Sequence, residues 1–385
     1  MRHEIQVRMP PPHAPYTAVV ERGGLTRAGA LVRSHLPQGG RVVVLTSPRI
    51  RGFWGAALEA SLADEGLPFS VLELPDGEVH KNLASVARLA EAITATGADR
   101  HALLVAFGGG VIGDVGGLLA SLYMRGIRLL HLPTTLLAMV DSSLGGKTGV
   151  NLAAGKNLVG TFHHPRAILA DPALLATLPE REFRSGLAEA IKYGIIGSPD
   201  LFQRIEREAA ALRRQEPEPL DLLIAACLEQ KARVVAADER ESDLRRVLNF
   251  GHTLGHALES ATGYQRYLHG EAVAWGMLAV TRLAVRLGRL SEADGARIAG
   301  AIVNVCAPLP PLLEPPELVL CHAASDKKTR AGQLHFVLPT AMGAVTIAAG
   351  IPDAEVLAAL RETASLTPVS GTPPAPPAAT PRSAR

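Results

Sequence analysis

The chain has 385 residues, of which 47% are apolar, and its formal net charge is +2. This length and apolar content are enough for more than one buried core, so two or more domains are expected. The nearly balanced charge and the 4% aromatic content argue against a nucleic-acid partner. No apolar run reaches the roughly 18 residues of a membrane span, and the charged first residues do not resemble a signal peptide. The separated cysteines suit a reducing compartment, so we expect a cytoplasmic protein with no membrane partner.

Strand and helix patterns alternate in the first half of the chain. Apolar or β-branched runs predict strands at 16–21, 41–46, 69–74 and 102–107, and apolar spacing predicts helices at 50–65 and 83–96. Residues 1–15 are expected to form a loose arm or to enter an edge strand. Strands that alternate with helices indicate a parallel, doubly wound α/β sheet.

The composition changes at about Pro179, where β-branched runs give way to alanine- and leucine-rich helical segments. We therefore predict an α/β domain over residues 1–179 and an all-helical domain over residues 180–362. Residues 363–385 form a proline-rich, low-complexity tail that cannot bury a core and is predicted to be disordered.

A glycine-rich segment, Gly108 to Gly117, follows the predicted strand 102–107 and leads into a helix. Glycines at such a place let backbone N–H groups approach a pyrophosphate, and the helix N-terminus favours its negative charge. Asp114 is a candidate hydrogen-bond partner for a polar part of a nucleotide. The segment indicates a Rossmann-like dinucleotide-binding domain, with a strand–helix turn that binds no ligand as the alternative.

Two histidines, His252 and His256, are four residues apart in a predicted helix, so their side chains lie on one face. Imidazole is a common zinc ligand, and His269 and Glu189 offer a third and a fourth donor. The spacing by itself favours His252 with His256 as a metal pair. No glutamate follows His252, which argues against a zinc protease of the His-Glu-x-x-His type. Surface or hydrogen-bonded interior histidines remain the alternative.

Several cations lie in or near glycine-rich loops. Lys147 and Lys156 each follow a glycine, where a lysine is placed to reach a phosphate or carboxylate. Lys231, Arg245 and the 326–328 turn add further positive charge. Solvated surface lysines are the alternative for any one of them, but the whole set predicts a doubly charged, highly hydroxylated substrate.

These segments together resemble the 3-dehydroquinate synthase family over roughly residues 42–339. The matching blocks are GGGVIGD (108–114), YMRG (123–126), PTTLLAMVDSS (133–143), GGKT (145–148), GKNL (155–158), LAEAIK (187–192), ADERE (237–241), NFGH (249–252) and DKK (326–328). Because many independent blocks occur in order, the resemblance is specific.

The resemblance implies a dinucleotide-binding α/β domain, a helical domain that binds metal and substrate, an active site between them, and a homodimer. It implies NAD and a divalent metal, zinc or cobalt, as cofactors. The metal ligands are expected to be Glu189, His252 and His269, which replaces the pairing of His252 with His256 that spacing favours.

The resemblance also implies roles for the remaining site residues. Near the substrate phosphate we expect His256, Lys147, Asn157, Asn249 and Lys327, with Arg125 reaching in from the partner subunit. Lys328 is the alternative to Lys327 in the 326–328 turn. Lys231 and Arg245 are expected to clamp the substrate carboxylate, and Asp141, Lys192 and Glu241 to lie beside the metal-bound hydroxyls. The predicted catalytic set is Lys147, Lys192, His256, Asp141 and Glu241. On the cofactor side we expect Glu78, Lys81, Gly109, Gly110, Val111, Asp114, Thr134, Thr135 and Lys156.

The family converts 3-deoxy-D-arabino-heptulosonate 7-phosphate to 3-dehydroquinate and phosphate, a step of the shikimate pathway. The metal is expected to bind the C4 and C5 hydroxyls and to lower the pKa of the one that is oxidised. NAD takes a hydride, phosphate is eliminated, and the same NADH returns the hydride. The ring then opens and an intramolecular aldol reaction closes the carbocycle.

One position departs from the family pattern. After the 41–46 run the family has an aspartate in a Thr-Asp-Thr-Asn-like turn, whereas this chain has Thr46, Ser47, Pro48 and Arg49. Ser47 can hydrogen-bond a ribose hydroxyl but brings no charge, and Arg49 adds a positive one. The choice between NAD and NADP therefore stays open from the sequence, and NAD is expected.

Three alternatives remain. Sibling sugar-phosphate cyclases, the 2-deoxy-scyllo-inosose and 2-epi-5-epi-valiolone synthases, share the metal and NAD but use substrates without a carboxylate, so Lys231 and Arg245 argue against them. A metal alcohol dehydrogenase of the glycerol dehydrogenase type would not need these cations and would accumulate NADH. A nucleotide-binding module without activity predicts the loss of metal ligands or site lysines, and none is lost.

Overall fold

The first half of the chain is built on a parallel sheet. The computed structural model describes residues 1–7, 15–241, 244–327 and 334–366, without the side chains of 325–327. The strands of this half are β1 (Arg2–Val7), β2 (Tyr16–Glu21), β3 (Val42–Thr46), β4 (Phe69–Glu73), β5 (Leu103–Gly108), β6 (Arg128–Pro133), β7 (Val150–Leu152), β8 (Gly155–Val159) and β9 (Ala167–Ala170). Within the described ranges seven of them pair in the order β1-β2-β9-β6-β5-β3-β4, and β1 alone is antiparallel to its neighbour, while β7 and β8 form a separate hairpin.

Helices cover both faces of this sheet, which explains why β3 and β5 are buried along their whole length. The helices of this half are α1 (Ala28–His35), α2 (Pro48–Ile50), α3 (Ala56–Asp64), α4 (Leu83–Ala95) and α5 (Gly110–Leu122). The helix predicted at 50–65 is observed as α2 and α3 joined by a π-turn at Arg51–Gly55. The predicted doubly wound α/β architecture is confirmed, and the residues expected as an arm or edge include the edge strand β1.

The second half is rich in helices, as predicted. Its helices are α6 (Glu180–Gly197), α7 (Pro199–Arg213), α8 (Pro217–Ala237), α9 (His252–Ala261), α10 (His269–Arg286), α11 (Glu292–Cys306), α12 (Pro316–Lys327) and α13 (Asp353–Ala364). It also contains an antiparallel hairpin, β10 (His335–Ala341) with β11 (Ala344–Ala349), which the expectation of an all-helical domain did not include. The change from sheet to helices falls at α6, next to the predicted boundary at 179. The division into two domains stays a prediction.

One apolar core runs from the sheet into the helical half. It joins Val44 and Val105 on the sheet to Ile191 on α6 and Val273 on α10. A second cluster lies on the other face of the sheet, under α4 and α5. The two halves of the chain therefore share one apolar core.

The predicted tail begins too early. Thr363 is buried and helical within α13, where its side chain hydrogen-bonds the Ala359 carbonyl. The part of the predicted tail from residue 367 onward lies outside the described residues. Every helix of the described ranges is too short or too polar to cross a lipid bilayer.

Candidate active site

The carboxyl ends of the central strands form the first part of the site. The chain moves from β3 outward to β4 and then returns to β5, so the strand order reverses between β3 and β5, where ligands of parallel sheets bind. The helix after β5, α5, begins at Gly110, and its N-cap residue Gly109 provides no side-chain cap, which leaves the first N–H groups available to an anion. The hydroxyls of Thr46 and Thr134 are buried there and have no hydrogen-bond partner among the described residues. Gly110 and Val111 begin α5, and Thr135, which follows β6, lies next to Gly109. This edge therefore suits a polar phosphate-bearing cofactor.

The remaining cofactor-side residues form a connected network. Lys81 donates to Asp114 at 2.5 Å and to Asn157 at 2.6 Å, while Glu78 accepts a hydrogen bond from Asn151 at 2.8 Å. Burial raises the pKa of Asp114 although Lys81 opposes it. The structure thus brings Lys81 and Asp114 together and links them to Asn157, which was predicted on the phosphate side.

A candidate metal centre lies where α6, α9 and α10 meet. Oε1 of Glu189 is 3.4 Å from Nε2 of His252 and 3.4 Å from Nε2 of His269. Glu189 is completely buried, and neither of its oxygens accepts a hydrogen bond of good geometry from a described residue. A buried carboxylate whose oxygen faces two imidazole nitrogens fits a divalent cation held by one oxygen and two nitrogens.

Hydrogen bonds at the other ring nitrogens aim both imidazoles at Glu189. Nδ1 of His252 lies 3.1 Å from the Phe250 carbonyl, and Nδ1 of His269 lies 3.2 Å from Glu259 Oε2. Burial lowers the pKa of His252 to about 3, so its ring is neutral and able to act as a ligand. Burial also lowers the pKa of His269, but the nearby carboxylates of Glu189 and Glu259, the second hydrogen-bonded to the ring, outweigh this and raise the pKa to about 10. Two carboxylates that attract a proton to His269 also attract a metal cation in its place.

His256 lies in the same cluster. One ring nitrogen of each of His252, His256 and His269 lies within 4.8 Å of the other two. The geometry therefore accommodates both the three-histidine set that includes the spacing-based pair and the Glu189-containing set. The burial of Glu189 favours the second set, in which His256 is assigned to the substrate and not to the metal.

Asp141 connects the metal centre to a buried lysine. It lies in a π-turn at Ala138–Ser142, and Lys231 contacts both its carboxylate, at 2.8 Å, and its carbonyl, at 2.6 Å. Tyr193 donates to the same carboxylate, and Lys192 forms an ion pair with Glu189. Burial lowers the pKa of Lys231 to about 8, although Asp141 opposes this shift.

Arg245 is buried beside a glycine that it requires. Its guanidinium donates to the Gly145 carbonyl at 3.2 Å and to the Glu239 carbonyl. A Cβ at position 145 would lie 2.4 Å from the guanidinium of Arg245. The backbone φ of Gly145 is +105°, a conformation that is strained for any other residue. Nε of Arg245 is buried without a hydrogen-bond partner among the described residues, so one donor remains for an anion.

The residues predicted near the phosphate are partly assembled. Lys147 and Asn249 both donate to Glu241, the latter at 2.7 Å, and Lys156 donates to Glu259 at 2.9 Å. Lys327 is the last residue of α12, and its side chain lies outside the described part of the chain.

Arg125 is not brought to this site within one chain. It is exposed and lines a separate depression of about 370 Å³ together with Arg100, Arg128, Arg166 and His163. Its predicted contact with substrate in a partner subunit stays a prediction.

Three site residues were missed by the sequence reasoning: Thr46, Tyr193 and Glu259. Tyr193 lies four residues after Glu189, and Glu259 lies three residues after His256. Helical spacing, which puts such pairs on one face, was therefore the available signal for both.

Sugar-phosphate cyclases have this fold. A 2-epi-5-epi-valiolone synthase from Streptomyces hygroscopicus subsp. jinggangensis, solved with NAD+ and Zn2+, matches with a TM-score of 0.84 and 32% identity over 92% of this chain and 98% of its own. A 2-deoxy-scyllo-inosose synthase solved with carbaglucose-6-phosphate, NAD+ and Co2+ gives a TM-score of 0.85 and 27% identity over 94% of this chain and 100% of its own.

The sequence comparisons are more specific than the fold. The family models for the N-terminal and C-terminal parts of 3-dehydroquinate synthase match residues 71–185 and 186–329. A 3-dehydroquinate synthase from Koribacter versatilis is 48% identical over 350 residues, which are 90% of this chain and 94% of the relative. The chain belongs to the 3-dehydroquinate synthase family.

Proposed function

We propose that this chain converts 3-deoxy-D-arabino-heptulosonate 7-phosphate to 3-dehydroquinate and phosphate, as a carbon–oxygen lyase of the shikimate pathway. NAD and a divalent metal, zinc or cobalt, serve as cofactors. The observation that carries this choice is the pair of buried cations, Lys231 and Arg245, of which Lys231 contacts Asp141 beside the metal centre. A buried cation pair beside a metal fits an anionic sugar acid better than an uncharged sugar.

The two cofactors have separate places in the proposed site. The loop Gly109–Asp114 and Thr134 would hold NAD, which would supply reversible hydride transfer with no net NADH after one turnover. The metal would be held by Glu189, His252 and His269, where it supplies Lewis-acid polarisation of a substrate hydroxyl.

Polar side chains around the metal centre orient the hydroxyls of the substrate. Lys192 remains protonated, because Glu189 and Asp141 raise its pKa against the effect of burial. Asp141 remains ionised, because Lys231 and Lys192 lower its pKa although burial raises it. The site therefore offers one fixed donor and one fixed acceptor beside the metal, with Tyr193 holding the acceptor in place.

The carboxylate of the substrate would lie between Lys231 and the free Nε donor of Arg245. The phosphate would lie among Lys147, His256, Asn157, Asn249 and Lys327. The two charged ends of the substrate would therefore bind to two separate groups of cations, which orients the substrate for ring closure.

Glu241 occupies part of the proposed phosphate position. Its carboxylate accepts hydrogen bonds from Lys147 and Asn249, and its backbone φ is +59°. A phosphate must displace this carboxylate to reach both donors. Glu241→Gln is therefore expected to bind inorganic phosphate about five- to tenfold more tightly, the scale of one charge-assisted hydrogen bond (~1–1.4 kcal/mol). Calorimetric titration of the wild type and the variant with phosphate measures this.

The matched control for this prediction is Glu229→Gln. Glu229 pairs with Arg233 on the exposed side of α8, so its replacement should leave phosphate binding unchanged. Unchanged or weaker phosphate binding by Glu241→Gln would contradict the assignment.

Sibling cyclases are the main alternative function, because both solved neighbours named above belong to that class. They are less similar to this chain than the curated 3-dehydroquinate synthases, at 32% and 27% identity against 48%. An alcohol dehydrogenase would have no use for Lys231 and Arg245.

The deciding assay measures phosphate release and NADH absorbance together. The metal-loaded protein with catalytic NAD is expected to release phosphate from 3-deoxy-D-arabino-heptulosonate 7-phosphate without accumulating NADH. Accumulating NADH would indicate a dehydrogenase. Absence of phosphate release, with NAD and metal both shown to be bound, would indicate a sibling cyclase acting on a sugar phosphate without a carboxylate.

The proposed setting is a cytoplasmic homodimer with no nucleic-acid or membrane partner. The position of Arg125 supports the dimer, because this predicted phosphate ligand can meet a site only on a second subunit. The reducing compartment is supported by Cys227 and Cys306, which are buried and form no disulfide.

A further inference from the structure

Glu259 is a buried carboxylate on α9 with no role in the reaction as described so far. Its Oε2 lies 3.2 Å from Nδ1 of His269, and its Oε1 accepts a hydrogen bond of 2.9 Å from Nζ of Lys156. Only 3% of Glu259 is exposed, so the carboxylate itself is buried while its two partners are partly exposed. A buried charge is retained only where it is paired and hydrogen-bonded, and here both partners are candidate site residues.

The spacing along α9 explains how Glu259 reaches this place. It follows His256 by three residues and His252 by seven, so all three side chains lie along one face of the helix. That face meets the N-terminus of α10, which begins at His269. This face of α9 therefore carries the proposed metal ligand His252, the substrate-side His256, and Glu259, whose carboxylate contacts the second histidine ligand.

The contact with Glu259 decides which nitrogen of His269 is available to a metal. An N–H at Nδ1 donates to Glu259, so the lone pair is at Nε2, which faces Glu189 at 3.4 Å. His252 is held in the same way, but by the uncharged carbonyl of Phe250. A carboxylate partner fixes the ring and also makes it a stronger ligand.

Lys156 completes the arrangement from the other half of the molecule. It lies on β8, and its ammonium lies between Glu259 and the ring of Tyr264, 4.2 Å from the ring centroid. It balances the charge of Glu259 and ties the β7–β8 hairpin to the metal-bearing helices.

We propose that Glu259 is a positioning residue for the metal centre, which holds His269 with Nε2 directed at the metal and is itself held by Lys156. This inference rests on the metal site given under the proposed function. It assigns Lys156 a structural contact with the metal centre in addition to its predicted place beside the cofactor.

The test is metal affinity, measured without NAD or substrate by competition between the protein and a chromophoric chelator for Co2+. Glu259→Gln is expected to weaken Co2+ binding by about 10- to 100-fold, as loss of such a partner does elsewhere. The visible absorption bands of bound Co2+ should also shift, because His269 is no longer held. A purely structural role would leave these bands unchanged.

Asp221→Asn is the matched control. Asp221 is a buried carboxylate that pairs with Arg22 at 2.6 Å, away from the metal cluster. This variant should keep the Co2+ affinity and the absorption bands of the wild type. The thermal unfolding midpoint of each metal-free variant shows whether it is folded.

Lys156→Met provides a second arm if Glu259→Gln does not fold. It should weaken Co2+ binding less than Glu259→Gln does, and the double variant should be no weaker than Glu259→Gln alone, because both changes act through one contact.

Co2+ binding by Glu259→Gln with wild-type affinity and bands would overturn the inference while leaving the metal site intact. If Glu259→Gln does not fold, wild-type Co2+ affinity in Lys156→Met would overturn it. Failure of the wild type to bind stoichiometric Co2+ would overturn the metal site and the inference together.

Discussion

His269→Ala is expected to lose bound metal and turnover together. His269 supplies one of three proposed ligands and is held between two carboxylates, so its removal leaves Glu189 buried opposite a cavity. Turnover should fall by at least about 10³-fold, the scale on which loss of one member of an interdependent catalytic set acts. Metal analysis of the purified variant, together with the phosphate-release assay, measures both quantities on one preparation.

His256→Ala is the matched comparison for this prediction. His256 lies in the same cluster but is assigned to the substrate, so its variant should keep stoichiometric metal while it loses turnover. Stoichiometric zinc or cobalt in His269→Ala would refute the ligand assignment. Loss of metal from His256→Ala would support the three-histidine set that the spacing on α9 favours.

The second large effect is a loss of kcat/KM as the pH rises through about 8. Lys231 must be protonated to bind the substrate carboxylate, and burial lowers its pKa to about 8 although Asp141 opposes this shift. Below that pH the free protein carries the charged lysine, and above it the charged fraction falls tenfold for each pH unit. Because kcat/KM reports the pKa values of the free protein, its profile should show this alkaline limb.

Lys231→Met should remove that limb and lower kcat/KM by about 10²- to 10³-fold at pH 7. The reason is that truncation of one partner in a buried charge pair costs ~3–4 kcal/mol. Arg233→Met, an exposed position on the same helix, is the control and should retain the wild-type profile. An unchanged alkaline limb in Lys231→Met would show that another group, such as Lys147, titrates instead.

Much of the fold could be predicted because local patterns and tertiary environment agree. The run 41–46 is β-branched and uninterrupted, and it forms β3, a strand buried on both faces. The glycine-rich segment after the predicted strand 102–107 starts α5 at the sheet edge, as predicted.

The errors come from places where local pattern and environment differ. The hairpin β10–β11 was missed because β10 contains Pro339 and both strands lie inside a helical half. The tail boundary was placed too early because Thr363 is a weak helix former, and its burial in α13 is a tertiary effect.

Residue chemistry and order along the chain were enough to predict the family and to propose residues for the cofactor, metal and substrate sites, because each block keeps its local geometry wherever the chain places it. Only the tertiary structure decided which of them meet. Glu189 and His269 lie on α6 and α10, and their contact with His252 on α9 is created by helix packing, which helical spacing cannot report. The same holds for Glu259 and Lys156, which are 103 positions apart in the sequence yet share a hydrogen bond, because side-chain contacts depend on how the hairpin and the helices pack.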